Sequence, residues 1–279
     1  MIRLTGLLLA SGLLGTDGED VSKKDYARFV GVWSFAVIDV EGTKQPAPPF
    51  NSNKVIIDQD GRFMVVQGPK VTRGIFKLDP SKTPKHYDQT ITDGPAKGLT
   101  AACIYELEGD TYKLCGSFRG KERPASFDCK PKSGLIFQSL KREKQAVKEA
   151  LIEVGRRELT GTWQATSYFL DGTKASDEDM KKIKLSVEAD GKATALREGK
   201  PFIAAGSNID PTKNPMTIDF SYSDGDLKGQ TALGIYKIED DLLTICRTTP
   251  GGTRPTEFAS KPGSGHTLMS YSRQKTVPK

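Results

Sequence analysis

Ile104-Tyr-Glu-Leu-Glu-Gly-Asp-Thr-Tyr-Lys-Leu-Cys115 returns 131 residues later as Ile235-Tyr-Lys-Ile-Glu-Asp-Asp-Leu-Leu-Thr-Ile-Cys246. Both runs are rich in strand formers and break at an acidic turn, around Asp110 in one and Asp241 in the other, as a β-hairpin does. The likeness spreads outward. Between Asp79–Arg142 and Asp210–Arg273, 26 of 64 positions are identical. Upstream the offset is 130: Gly31-Val-Trp33 matches Gly161-Thr-Trp163, and Gly42-Thr-Lys44 matches Gly172-Thr-Lys174. Each copy is about 115 residues, too long for a solenoid repeat and long enough to own a core. The chain is a duplicated domain.

Inside a copy the pattern is β. Apolar runs such as Val55-Ile-Ile57, Phe63-Met-Val-Val66 and Leu242-Leu-Thr-Ile245 alternate with the turn pairs Asp60-Gly61, Asp93-Gly94, Asp190-Gly191 and Asp224-Gly225. No amphipathic helix alternates with the strands, which disfavours parallel βαβ units. The expectation is mainly β: two tandem antiparallel up-and-down barrels over residues 24–142 and 159–274. Residues 143–158 read as a helix joining them, with Val147, Leu151 and Val154 on one face and charges on the other. A short helix is also expected before the first copy at Lys23–Phe29. Residues 1–15 carry one arginine and a short leucine-rich run, which reads as a signal segment and so as export to the periplasm or envelope; a cytoplasmic location is the alternative.

The paired Gly-x-Trp motifs resemble the start of a lipocalin (calycin) barrel. That resemblance implies that the Trp closes the barrel floor and that an Arg at the end of the last strand packs over its ring. The structural signature would then be Gly31, Trp33 and Arg142 in the first copy and Gly161, Trp163 and Arg273 in the second. A resemblance over both copies is to the uncharacterised repeat domain of planctomycete proteins. It rests on Asp210-Pro-Thr-Lys-Asn-Pro-Met-Thr-Ile-Asp-Phe220, Gly234–Cys246, Arg254-Pro-Thr-Glu-Phe258 and Lys261-Pro-Gly-Ser-Gly265. The first copy departs from it, with Cys103 where the second has Gly234. The resemblance implies lipocalin-like barrels and frequent signal peptides, and no established activity.

Candidate chemistry is sparse. Cys103, Cys115, Cys129 and Cys246 show no C-x-x-C, and His86 and His266 are the only histidines, so no metal set is expected. A disulfide among Cys103, Cys115 and Cys129 competes with free, buried thiols. Gly263-Ser264-Gly265-His266 sets a Ser beside a His, but there is no G-x-S-x-G elbow, and the first copy has Leu135 at the matching place. No catalytic residue and no cofactor is therefore expected. Arg123 and Arg254, each before a proline, are candidates to point a guanidinium into a barrel mouth and hold an anion; the competing reading is an ion pair with Asp88 or Asp219. Tyr105 and Tyr236 are candidates for the wall that a ligand would touch.

The net charge of +6 does not suggest nucleic acid. Residues 141–157 contribute +3 and the tail from Arg273 another +3, so the remainder sums to zero. No folded face concentrates charge with exposed aromatics. No stretch is long and apolar enough for a transmembrane helix. The reading is a non-enzymatic, exported tandem module that binds a small hydrophobic or amphipathic ligand or mediates envelope protein contacts. The alternative is an enzyme acting on an anionic envelope metabolite, with Arg123 or Arg254 as anion clamp.

Overall fold

A computed structural model describes residues 16–46, 53–117 and 122–274, with side chains from Lys23 onward; the leucine-rich segment 1–15 and the last five residues lie outside it. The chain divides into two compact units, one ending at Lys144 and the other beginning at Gln145.

The first unit opens with α1 (Thr16–Phe29) and continues as β1 (Gly31–Val40), β2 (Thr43–Gln45), β3 (Asn53–Ile57), β4 (Arg62–Gln67), β5 (Lys70–Asp79), β6 (Lys85–Ile91), β7 (Thr100–Glu108), β8 (Thr111–Gly116) and β9 (Ile136–Arg142). Each long strand pairs antiparallel with the next, and β1 also pairs with β9, so eight strands close while β2 hangs on the edge of β1. The second unit repeats this: α2 (Val147–Leu159), β10 (Gly161–Leu170), β11 (Thr173–Lys174), α3 (Asp177–Lys181), β12 (Ile183–Val187), β13 (Lys192–Arg197), β14 (Lys200–Asp210), β15 (Met216–Tyr222), β16 (Thr231–Glu239), β17 (Leu242–Thr248) and β18 (His266–Arg273), closed by β10 on β18. Full closure leaves no long unpaired edge. These are two closed eight-stranded antiparallel barrels in tandem, lipocalin-like, with a helix between them.

The helix between the copies does more than connect. Its buried stripe of Ala150, Leu151, Val154 and Leu159 lies on the second barrel. Gly155 leaves the room that lets the helix approach, since a β-carbon there would crowd Ile209 and the Tyr236 hydroxyl. α1 stands in the same place in the first unit, with Phe29 fully buried among Tyr87, Tyr105 and Tyr112. Each barrel thus has a helix across one end.

The Gly-x-Trp motif ties that helix down. Trp33 and Arg142 are register partners, as are Trp163 and Arg273. The Arg142 guanidinium carbon lies 4.1 Å from the Trp33 ring centroid, and that of Arg273 lies 4.0 Å from Trp163. Each indole N–H donates to the last helix residue, Trp33 to the Phe29 carbonyl (2.9 Å) and Trp163 to that of Leu159 (2.8 Å). Each arginine donates to two carbonyls at the same helix terminus, of Arg28 and Val30 or of Glu158 and Thr160. A cation there satisfies orphan carbonyls and complements the helix dipole. Gly31 is glycine because a β-carbon would collide with the Arg142 guanidinium.

The one-residue change of offset between the copies has a location. On β13 and β14, Leu196 faces Pro201 while Ala195 faces Ile203, so Phe202 is an extra, bulged residue. The first copy pairs the matching strands without a break.

All four cysteines are free thiols, so the disulfide considered among Cys103, Cys115 and Cys129 does not form. Cys103 faces Gly116 and Cys115 faces Ile104 on adjacent strands, one residue out of step. The pleat therefore sends them to opposite faces of the sheet. Cys103 joins the barrel core, whereas Cys129 donates to the Leu135 carbonyl at 3.1 Å.

Candidate functional site

The two interiors are built from the same positions with different side chains. In the first barrel Phe35, Phe63, Phe76, Tyr87 and Tyr112 are all buried and belong to one core cluster. Phe76 and Tyr87 stack at 4.7 Å and Tyr112 meets Trp33 edge-on at 4.8 Å. The matching residues in the second barrel are Ala165, Ala193, Ser207, Ile218 and Leu243. Each of these five exchanges removes an aromatic ring, while Phe220, Tyr222 and Tyr271 stand where the first copy has Gln89, Ile91 and Leu140.

What is left is a cavity of about 300 Å³ inside the second barrel. Ala165, Ala193, Ala195 and Ala205 make part of its wall where the first copy has Phe35, Phe63, Val65 and Gly74. Leu185, Ile203, Phe220 and Ile245 continue the apolar lining, and Met180 of α3 lies over it. At roughly 24 cal/mol per Å³ an enclosed void of this size would cost about 7 kcal/mol. That is comparable with the whole stability of a domain, so the space is tenable because it reaches solvent past the exposed Arg197 and Phe202. Its size is at the low end of the ~300–1,000 Å³ usual for small-molecule pockets.

Polar groups are few and placed together. Arg247 projects inward from β17, on the same face as Leu243 and Ile245. Its room comes from Gly234, its register partner on β16; the first copy has the reverse arrangement, Cys103 facing Gly116. Arg247 Nη1 donates to the hydroxyl of buried Tyr222 at 2.5 Å, which leaves the phenol proton to donate onward. No carboxylate of the described residues lies within 4.0 Å of the Arg247 guanidinium. Tyr271, also on the wall, donates to Met269 Sδ at 3.1 Å; burial pushes its phenol up to about 12, with the Arg247 charge pulling the other way. At the rim Arg197 stacks over Phe202 at 5.2 Å, and Asp179 is engaged by the Ser176 hydroxyl at 2.6 Å.

The residues singled out from sequence lie elsewhere. Arg254 sits on the outer face of the second barrel, where Nη1 and Nη2 donate to the two Asp219 oxygens at 2.6 and 3.1 Å and Nη1 also reaches the Gly234 carbonyl at 2.6 Å. Arg123 makes the corresponding contacts through single bonds, Nη1 donating to the Cys103 carbonyl and Nη2 to Asp88 Oδ1. Asp219 is on the outside because its neighbours Ile218 and Phe220 belong to the core. Arg254 borders an outer groove with Asn208, Asp210, Lys213 and Thr217, but its donors are taken up by Asp219. Tyr105 and Tyr236 are buried near the helix-capped ends of their barrels. Tyr105 donates at 2.7 Å to Asp25 of α1, which also receives Lys85 at 2.8 Å. Ser264 lies in the bend that leads into β18, and His266 begins that strand, its amide donating to Ser264 Oγ at 3.1 Å. Among the described residues no three of His, Cys, Asp and Glu converge as a metal set.

The fold and cavity define a tandem barrel protein whose first core is rich in aromatic rings and whose second barrel holds a cavity. No protein-family model matches the chain, and no curated protein matches it. Among solved structures it is similar to a protein of unknown function from the DUF3598 family of Nostoc punctiforme, at 11% identity over 91% of this chain and 99% of that one. The TM-score is 0.25, too loose a likeness to transfer a role.

Proposed function

We propose that this protein is a non-enzymatic binding module whose second barrel holds one small apolar or amphipathic ligand, while the first barrel is a filled structural partner. The observation that carries the reading is the exchange of Phe35 and Phe63 for Ala165 and Ala193 at matched interior positions, with a cavity of about 300 Å³ where the rings would be. A protein needing only two stable barrels gains nothing by emptying one, because lost ring contacts weaken a core. Kinship with the planctomycete repeat domain, and export directed by the segment before Asp17, belong to the same proposal.

Titration of the full chain with the neutral dye Nile red tests it. The expected result is one saturable site, lost in the double variant Ala193→Phe/Ala205→Gly, which rebuilds the Phe63–Gly74 pair of the first barrel. No saturable site in a folded protein, together with a ligand-free native mass spectrum, overturns it and favours envelope protein contacts.

A further inference from the structure

We propose that the ligand of the second barrel carries a carboxylate, held inside the barrel by Arg247 and the Tyr222 hydroxyl with its chain running along the alanine wall; this rests on the container reading above. The cavity is apolar along Ala165, Ala193, Ala205, Leu185 and Ile245; its charged lining residues are Arg247 within β17, Arg197 at the end of β13, and Asp179 at the rim, which the Ser176 hydroxyl engages. Arg247 is half-buried, and among the described residues no carboxylate completes it, so its guanidinium is free to meet an anion that enters the cavity. Arg247 is also absent from the first copy, where Gly116 occupies the position and Phe35 and Phe63 stand in place of Ala165 and Ala193. Cavity and cation therefore arise in the same copy.

The donor geometry narrows the anion. Tyr222 accepts from Arg247 Nη1, so the phenol proton and the remaining guanidinium N–H groups are available beside each other. One charge and this small set of donors match a monoanionic carboxylate. A phosphate monoester, with up to two charges, would call for a second cation, and the nearest other arginine of the lining, Arg197, is at the rim on the Phe202 ring. The volume suits an unbranched chain of medium length rather than a sterol-sized body.

Displacement of Nile red from the full chain by decanoate, decanol and decyl phosphate tests the head group. Decanoate is expected to compete at least tenfold more tightly than decanol, and more tightly than decyl phosphate. In Arg247→Met the decanoate-to-decanol ratio is expected to fall to about one, while Arg254→Met, on the outer face, keeps the wild-type ratio. Equal competition by decanoate and decanol, or a preference that survives Arg247→Met, overturns the carboxylate proposal and leaves the container reading standing. Tighter competition by decyl phosphate assigns the site to phosphate esters and overturns it as well. If neither the dye nor any competitor binds, both readings fall. Should Arg247→Met lose its native circular dichroism, the wild-type series alone decides, with Arg247→Lys as the second variant.

Discussion

Phe63 lies across Gly74, its register partner on the next strand, so closely that a β-carbon on Gly74 would stand 2.2 Å from the ring carbon Cζ. An aromatic laid over a strand glycine fills the space that the missing side chain leaves. At the same register the second barrel pairs Ala193 with Ala205. One pair thus supplies a ring to the barrel interior and the other supplies two methyl groups. At this register the duplication kept the strand pairing and altered the filling.

Reciprocal exchanges follow from this. Phe63→Ala should destabilise the first barrel by about 3–5 kcal/mol, the usual cost of removing a buried ring. Ala193→Phe/Ala205→Gly should leave the second barrel as stable or more so, because the ring enters existing space, and should abolish dye binding. Denaturant titration read by fluorescence and circular dichroism measures both. A double variant that still binds dye with wild-type affinity would place the binding site outside the barrel.

Arg142 and Arg273 each hold an indole and two helix-terminal carbonyls at once. Both side chains are 27% exposed, so the charge is only partly screened. Replacing either by alanine should cost its barrel about 2–4 kcal/mol, from the lost ring contact and charge-assisted hydrogen bonds. Lysine should recover only part, since an ammonium cannot span two carbonyls while lying flat on the ring. A loss below about 0.5 kcal/mol in Arg273→Ala would mean that the helix is held by its apolar stripe alone.

The barrel architecture was legible because duplication writes it twice: Trp33 with Arg142 and Trp163 with Arg273 were paired from sequence, and they are register partners. The site was not legible, and for a physical reason. Identities between copies mark what both barrels need to stay closed, such as the Arg123–Asp88 and Arg254–Asp219 pairs on the outer face. The cavity lies where the copies differ: Ala193 for Phe63, Arg247 for Gly116, Gly234 for Cys103. Those differences are visible in the alignment but acquire meaning only when alternation assigns them to the inner face. The bulge at Phe202 shows in the sequence only as a change of offset between the copies.

Asp25 supplies a pH signature confined to the first barrel. Its counterpart in the second copy is Gly155, so only α1 is anchored by a buried carboxylate. Burial alone would raise the Asp25 carboxyl, but hydrogen bonds from Lys85 and Tyr105 and the charges of Lys85 and Arg28 outweigh it, and the group lies below its ordinary value. A carboxyl lowered on folding adds stability above its unfolded pKa of about 3.9, and that stability is lost as pH falls through the folded value. Lys85 and Arg28 are 40% and 47% exposed, which discounts their part. Asp25→Asn should therefore cost the first barrel about 1–2 kcal/mol at pH 6, and the gap to wild type should shrink toward pH 3. A gap that stays constant over that range would show that the carboxyl charge plays no part in holding α1.

The thiols report on closure of the barrels from inside and out. Thiolate is the reactive form, so a thiol raised by burial is doubly protected, by access and by protonation. Burial pushes Cys103 up to about 12, with Cys115 adding to the effect, and Cys115 up to about 11; Cys246 is raised as well. Cys129 alone is only partly buried. At pH 8 an aromatic disulfide reagent should label Cys129 first in the native protein, and label Cys103, Cys115 and Cys246 only at the rate of unfolding. Denaturant should then expose four thiols without prior reductant. An intact mass lighter by two hydrogens than that of the reduced chain would mean that Cys129 had closed on Cys115. Those two stand on the same outer side of the first barrel, whereas Cys103 cannot reach either without turning its strand over. Fast labelling of Cys103 in the native state would be the more damaging result, because it would mean that the ring-packed barrel opens to solvent as readily as the one with the cavity.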